Sequence, residues 1–346
     1  MANRGNGSGS AGSSVNMDRR KIAIAAMLAC LAALAVLPFV AEKFYVQLFT
    51  KILIMGIFAM SLDLLIGYAG LVSFGHAAYF GAAAYALAMV SPQYEAASLW
   101  TTLPIAIGAS ALLALVIGAL VLRTSGIYFI MVTLAFSQML FFLFHDTKIA
   151  GGTDGIYIYV RPAADILGWK PFDLENVNHL YFAVLVLFVG VFVLLRTVLG
   201  SLFGRVIEGI RINEHRMRSL GYPTFRYKLT CFVIAGALAG LAGYLSAIQF
   251  GFVNPEMLAW HMSGSVMMMV ILGGMGSLTG PALGAMAMML LELALQALPE
   301  VGGIRLGKHW QLLMGSFIVL VALLLPYGLI GLLRKRAPAD GAAGHG

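Results

Sequence analysis

Residues Asn176–Leu195 read NVNHLYFAVLVLFVGVFVLL, a run without one Asp, Glu, Lys or Arg. An α-helix of about 20 apolar residues crosses the ~30 Å hydrocarbon core of a bilayer. The run is continuously apolar, whereas a transmembrane strand alternates over about 10 residues. Outward from it the pattern recurs at Ile22–Ala41, Ala96–Leu122, Thr124–Phe144, Leu229–Pro255, Met257–Leu291 and His309–Leu333. Tyr45–Ile66 joins them despite Lys51 and Asp63. The whole chain of 346 residues is 60% hydrophobic and 11% charged, outside the range of soluble domains. These runs predict an all-α fold, a polytopic helical membrane protein.

Two runs must be divided. Gly67-Tyr68-Ala69-Gly70 interrupts Leu64–Val90, so one helix breaks there and another starts near Leu71. Met257–Leu291 is too long for one span and holds Gly273-Gly274-Met275-Gly276-Ser277-Leu278-Thr279-Gly280-Pro281 at its middle, a turn or re-entrant segment. Irregular backbone at membrane depth requires protein or a watery cavity around it. The expected total is ten spans. Gly67, Gly70, Gly75, Gly273, Gly274, Gly276 and Gly280 are the candidate gate or helix-break positions. The stretches Gly70–Gly75 and Gly276–Gly280 echo each other weakly, as repeated halves of a transporter do.

Lys and Arg set orientation. Arg19-Arg20-Lys21 and Arg334-Lys335-Arg336 place both termini in the cytoplasm. The loop Gly200–Lys228 falls on that side, with six basic residues against two acidic, a net of +4. Asp146–Asn178 falls outside, with five acidic against three basic, a net of −2. Residues 1–18 read as a disordered cytoplasmic tail, 19–335 as the transmembrane domain and 336–346 as a second cytoplasmic tail. The basic triplet before Ile22 mimics a secretory signal, but the apolar run is longer than about 15 residues and no small-x-small site follows, so it reads as a retained span. The net charge of +7 sits at span ends and indicates no nucleic-acid partner. Cys30 and Cys231 lie inside apolar runs and say nothing of redox compartment.

Within the basic loop, Val206, Ile207, Ile210, Met217 and Leu220 recur at near-helical spacing, and Gly221 and Pro223 end the pattern. A short amphipathic helix with this make-up rests on anionic headgroups or inserts into a soluble partner; residue chemistry does not choose between them. Asp63 and Glu292 are carboxylates inside apolar runs, where insertion costs about 2.5–3.5 kcal/mol unless a cavity or partner receives them. Ser73 and His76 stand at the start of the third span, whose free N–H groups could receive a carboxylate; a packing histidine is the plainer account. Ser73, His76 and Glu292 are the candidate substrate path. Gly302–His309 nearly fits a phosphate loop but has His309 in place of the hydroxyl and no expected strand before it, so no nucleotide site is expected. The seven histidines are scattered, which predicts no metal, no cofactor and no catalytic constellation.

Three segments carry a resemblance. Gly204-Arg205-Val206-Ile207, Ile210-Arg211, Asn213-Glu214, Leu220-Gly221 and Tyr227-Lys228-Leu229 resemble the cytoplasmic loop of permease subunits of branched-chain amino acid ABC importers, the M-type permease above all. Gly67–Gly81, reading GYAGLVSFGHAAYFG, is similar to that family's signature in its early spans, and Gly151–Gly155 to its external GG-x-[DN]-G turn. The resemblance implies that the loop is a coupling helix seated in a groove of an ATP-hydrolysing subunit. Arg205, Glu208, Arg211, Asn213, Glu214, Leu220 and Gly221 are then the coupling residues. It also implies a bacterial inner-membrane subunit with a second permease subunit beside it, two cytoplasmic ABC ATPase subunits and a periplasmic substrate-binding protein that the external loop helps to receive. The expected function is movement of branched-chain or related amino acids, with ATP hydrolysed by the partners. Urea, amides or small carboxylates are alternative cargoes, and an ion-coupled secondary transporter using Asp63 and Glu292 is the alternative class.

Overall fold

The computed structural model describes residues 32–92, 94–164, 173–298, 300–301, 304–305, 309–324 and 328–333. The expected tails and the first half of the Ile22–Ala41 span lie outside the described residues. The chain divides into a unit ending at Leu48 and a unit from Phe49 onward. In the first, residues 32–40 are helical and Lys43 opens α1 (Lys43–Asp63), which runs on into the second.

The second unit continues through a π-helical turn, Leu64–Ala69, and then α2 (Ala77–Val90), α3 (Leu99–Val121), α4 (Ile127–Asp146) and α5 (Val177–Gly200). The basic loop holds α6 (Leu202–Ile212) and α7 (Glu214–Ser219). After it come α8 (Thr224–Phe250), α9 (Trp260–Gly273), α10 (Gly280–Gln296), α11 (Trp310–Leu324) and α12 (Gly328–Leu333). Two small antiparallel pairs decorate the turns: β1 (Ile156–Tyr157) on β2 (Phe252–Val253), and β3 (Glu300–Val301) on β4 (Ile304–Arg305). A short strand therefore does precede the phosphate-loop lookalike. It pairs back on Ile304–Arg305 inside that segment, where a phosphate loop keeps its N–H groups free for the ligand.

Among the described residues five helices are long and apolar enough to cross a membrane: α1 with its π-turn, α3, α4, α5 and α8. The shorter apolar helices are Ala77–Val90, Trp260–Gly273, Gly280–Gln296 and Trp310–Val321. The chain is polytopic and helical; among the described residues the expected count of ten spans is not shown, and the glycine breaks are flanked by the short helices. The 14 residues of α2 rise only about 21 Å. The irregular segment before it, residues 70–76, carries the chain further, with Ser73, Gly75 and His76 buried in protein. There Leu71 N–H donates to Leu65 O at 2.8 Å, Phe74 N–H to Thr133 Oγ1 at 3.2 Å and Ala77 N–H to Ser263 Oγ at 2.8 Å. This is the condition on which lipid-depth backbone leaves the helix.

The core forms around α1 and α8. Every residue from Ile52 to Asp63 is buried. On α8, small residues let neighbouring helices approach to backbone contact. A Cβ on Gly243 would lie 1.9 Å from Phe80 O of α2, and one on Gly240 would lie 2.4 Å from Ser110 Oγ of α3. Ser110 Oγ donates across the interface to Gly236 O at 2.6 Å, and the Thr102 and Tyr244 hydroxyls bond at 2.8 Å. By contrast α3, α4 and α5 turn Leu112, Val116, Met131, Phe142, Val186 and Val193 outward, as helices facing lipid do. The α9–α10 pair is also in backbone contact, since a Cβ on Gly284 would lie 1.9 Å from Met269 O.

Candidate coupling site at the basic loop

The loop predicted as one amphipathic helix is two. In α6, Val206, Ile207 and Ile210 are buried, while Arg205, Glu208, Arg211 and Ile212 are exposed. Asn213 then takes an extended backbone, φ −156° and ψ 98°, and its side chain accepts from Arg216 N–H at 3.0 Å. Asn favours this N-cap geometry over a continued helix, so the apolar stripe loses its phase there. Met217 stays against Gly209. Leu220, one of the candidate coupling residues, is 64% exposed, and Ile212 is 80% exposed. Tyr222 N–H donates to Met217 O and Gly221 N–H to Arg218 O, the pattern by which a glycine closes a helix.

Glu214 ties this pair to the start of α8. Its carboxylate accepts from Arg218 Nη2 at 2.7 Å, from Thr224 Oγ1 at 3.0 Å and from Lys228 Nζ. Burial alone would raise its pKa; the hydrogen bond and charge of Lys228, with help from Arg218 and Thr224, outweigh burial and hold it below the usual carboxylate value. These contacts explain why α8 starts at Thr224, five residues before the charge-free run at Leu229: Arg226 and Lys228 are helical, and Lys228 is paired.

Arg211 reaches the other way. Its stem crosses Gly70, where an added Cβ would lie 3.1 Å from Arg211 Cγ, and its Nη1 donates to Gly67 O in the π-turn. Gly70 has φ +71°, a left-handed conformation that ends the turn at no steric cost for glycine. Asp63, a carboxylate inside an apolar run, is 1% exposed, and its Oδ1 accepts from Gly276 N–H at 2.8 Å. A Cβ on Gly67 would lie 2.2 Å from Asp63 Oδ1 and 2.4 Å from Gly276 N, so a glycine is required where the two segments meet. The two glycine breaks, far apart in sequence, thus touch through Asp63, and Arg211 joins the basic loop to one of them.

The remaining candidates sit elsewhere. His76 is fully buried, stacked on Phe58 at 5.5 Å, with Nε2 2.9 Å from Ser61 Oγ. Ser61 gives its one proton to Phe58 O at 2.7 Å, so Nε2 of His76 is the donor to Ser61. His76 Nδ1 and Ser73 Oγ are buried without a partner among the described residues. Glu292 lies one turn from the end of α10, half-buried, accepting from Gln296 Nε2 at 3.2 Å. Gly273 lies against the start of α10, where its Cβ would be 1.9 Å from Gly280 O. At the opposite end from the basic loop, the Gly151–Gly155 turn packs on the segment after α8, with Ile156 opposite Val253. Ile212 was missed in the sequence because its exposure follows from the break at Asn213.

Residues 44–325 match the family described as the permease component of the branched-chain amino acid transport system. The chain belongs to this family. The permease is 31% identical over 329 residues to the high-affinity branched-chain amino acid transport system permease protein LivM of Salmonella typhimurium strain LT2, covering 90% of this chain and 75% of that one. It is also 31% identical over 328 residues to LivM of Escherichia coli strain K12, covering 89% and 75%. A probable branched-chain amino acid transport permease protein LivM of Methanocaldococcus jannaschii is 25% identical over 198 residues, 54% of each chain. No solved structure matches significantly. The match takes in both glycine breaks and the whole basic loop, so these belong to the transport domain of a multi-pass membrane permease.

Proposed function

We propose that the permease is the membrane-spanning subunit of an ABC importer for branched-chain or related amino acids in a bacterial inner membrane. Its basic end, with both termini, faces the cytoplasm. A second permease subunit completes the pore, two ATPase subunits hydrolyse ATP, and a periplasmic protein delivers substrate to the face carrying Asp146–Asn178. The relatives' transport role and the opposite charges of the two long loops support this reading. The observation that carries it is the free face of α6 and α7. Val206, Ile207 and Ile210 hold α6 to the protein, while Arg205, Glu208, Ile212 and Leu220 stay exposed. Large apolar residues set among charges on an exposed face are what a protein partner's groove takes up. In this reading α6 and α7 receive the motion of the ATPases, and the Gly67–Gly75 and Gly273–Gly280 breaks act as the gate.

Reconstitution into proteoliposomes tests the proposal. Leucine uptake should need ATP, a separate ATPase, the second permease and the binding protein, and omission of any one should abolish it. Uptake driven by an ion gradient in the absence of the ATPase would overturn it.

A further inference from the structure

We infer that Arg211 is a positioning residue, a latch that holds the basic loop to the π-turn so that both glycine breaks move with α6. Three contacts make the chain of connection. Arg211 Nη1 donates to Gly67 O, its stem lies over Gly70, and Asp63 bridges from the same turn to Gly276 N–H. A Cβ on Gly276 would also lie 3.7 Å from Arg211 Nη1, so the guanidinium stands at the meeting point of the two breaks. Arg205 and Glu208 share α6 and are exposed, yet among the described residues they make no hydrogen bond or ion pair; Arg211 has a different task from theirs. Val206, Ile207 and Ile210 also hold α6 by apolar contact, and Phe203 stacks on Tyr227 of α8 at 5.6 Å; such contacts resist separation more than sliding. A planar guanidinium on a fixed carbonyl supplies the directional tie that such a face lacks.

The latch takes its input motion from the importer reading above, but the contact can be tested without it. Cys231 is buried, with Sγ 3.9 Å from Leu64 O in the π-turn, so its alkylation reports opening of that turn. In a Cys30→Ala background, Arg211→Ala in the permease alone should speed labelling of Cys231 by N-ethylmaleimide about tenfold, the scale of one lost hydrogen bond from a charged donor. Arg205→Ala should leave it as slow as in the parent, and Arg211→Lys, which keeps a charged donor without the planar fork, should recover part of the protection. In the reconstituted transporter, Arg211→Ala should retain its ATPase subunits and their ATP hydrolysis while uptake per ATP falls about tenfold. Unchanged Cys231 labelling would overturn the latch, and so would normal uptake per ATP. Loss of ATPase association with Cys231 still protected would move Arg211 to the docking face and overturn it as well. If the parent transporter shows no ATP-dependent uptake, the importer reading fails, and the Cys231 rates still decide the latch.

Discussion

Gly67→Ala sets two effects of opposite sign against each other. Within a helix, alanine is favoured over glycine by about 0.5–1 kcal/mol, so local propensity predicts a more stable protein. The surroundings predict the reverse. The new Cβ would lie 2.2 Å from Asp63 Oδ1, 2.4 Å from Gly276 N and 2.7 Å from Gly276 Cα, where unstrained contacts need about 3.5 Å. The Asp63 carboxyl can rotate, but the Gly276 backbone must retreat by about 1 Å, which carries the 2.8 Å Asp63–Gly276 hydrogen bond out of reach. Leaving that buried pair unmade costs about 1–3 kcal/mol, and overpacking adds about 1–3 kcal/mol. Sterics therefore win, with a net loss of about 3 kcal/mol after the propensity gain is subtracted. The melting temperature of the detergent-solubilised permease, read from its monodisperse chromatographic peak, should fall by about 5 °C, and ATP-driven uptake should fall with it. A melting temperature equal to or above that of the parent would refute the convergence of the two breaks on Gly67.

The other predictions concern the basic loop and the core. Glu214 has a lowered pKa in the folded state, so its contribution is full above the ordinary value of 4.5 and is lost as pH falls through the lowered one. Amide hydrogen exchange of residues 202–223 should keep its protection from neutral pH to about pH 5 and lose about 1 kcal/mol in acid, with Glu214→Gln showing that loss already at neutral pH; protection at neutral pH in Glu214→Gln equal to the parent's would count against the tie to α8. Gly243→Val places a branched side chain where even a Cβ would lie 1.9 Å from Phe80 O, so membrane yield should drop to a small fraction of the parent's. A normal yield would mean that α2 and α8 do not pack through that glycine.

The spans were legible because bilayer crossing depends on length and the absence of charge, and both can be read from Asn176–Leu195 and its counterparts. Charge also misled. Arg226 and Lys228 fall outside any apolar run, yet α8 starts before them because Lys228 is paired with Glu214. The breaks at Gly67–Gly70 and Gly273–Pro281 were legible from glycine and proline alone, but the hydrogen bond joining Asp63 to Gly276 spans 213 positions and leaves no local mark. The buried face of α6 followed from helical spacing through Ile210. Beyond it the single helix of the sequence pattern divides, because Asn213 caps a second helix and the stripe loses its phase there. The glycines of the first break mark where the helix stops but not that an irregular segment, residues 70–76, follows before α2, because that segment is held by Thr133 and Ser263 from distant parts of the chain.

The central claim is that the exposed face of α6 and α7 meets an ATPase subunit. A photo-crosslinking amino acid at Ile212, the most exposed apolar residue of that pair, tests it in native membranes carrying the assembled transporter. The account predicts a crosslink to the ATPase subunit that disappears when that subunit is omitted. Crosslinks to lipid alone, the same with and without the ATPase, would contradict it.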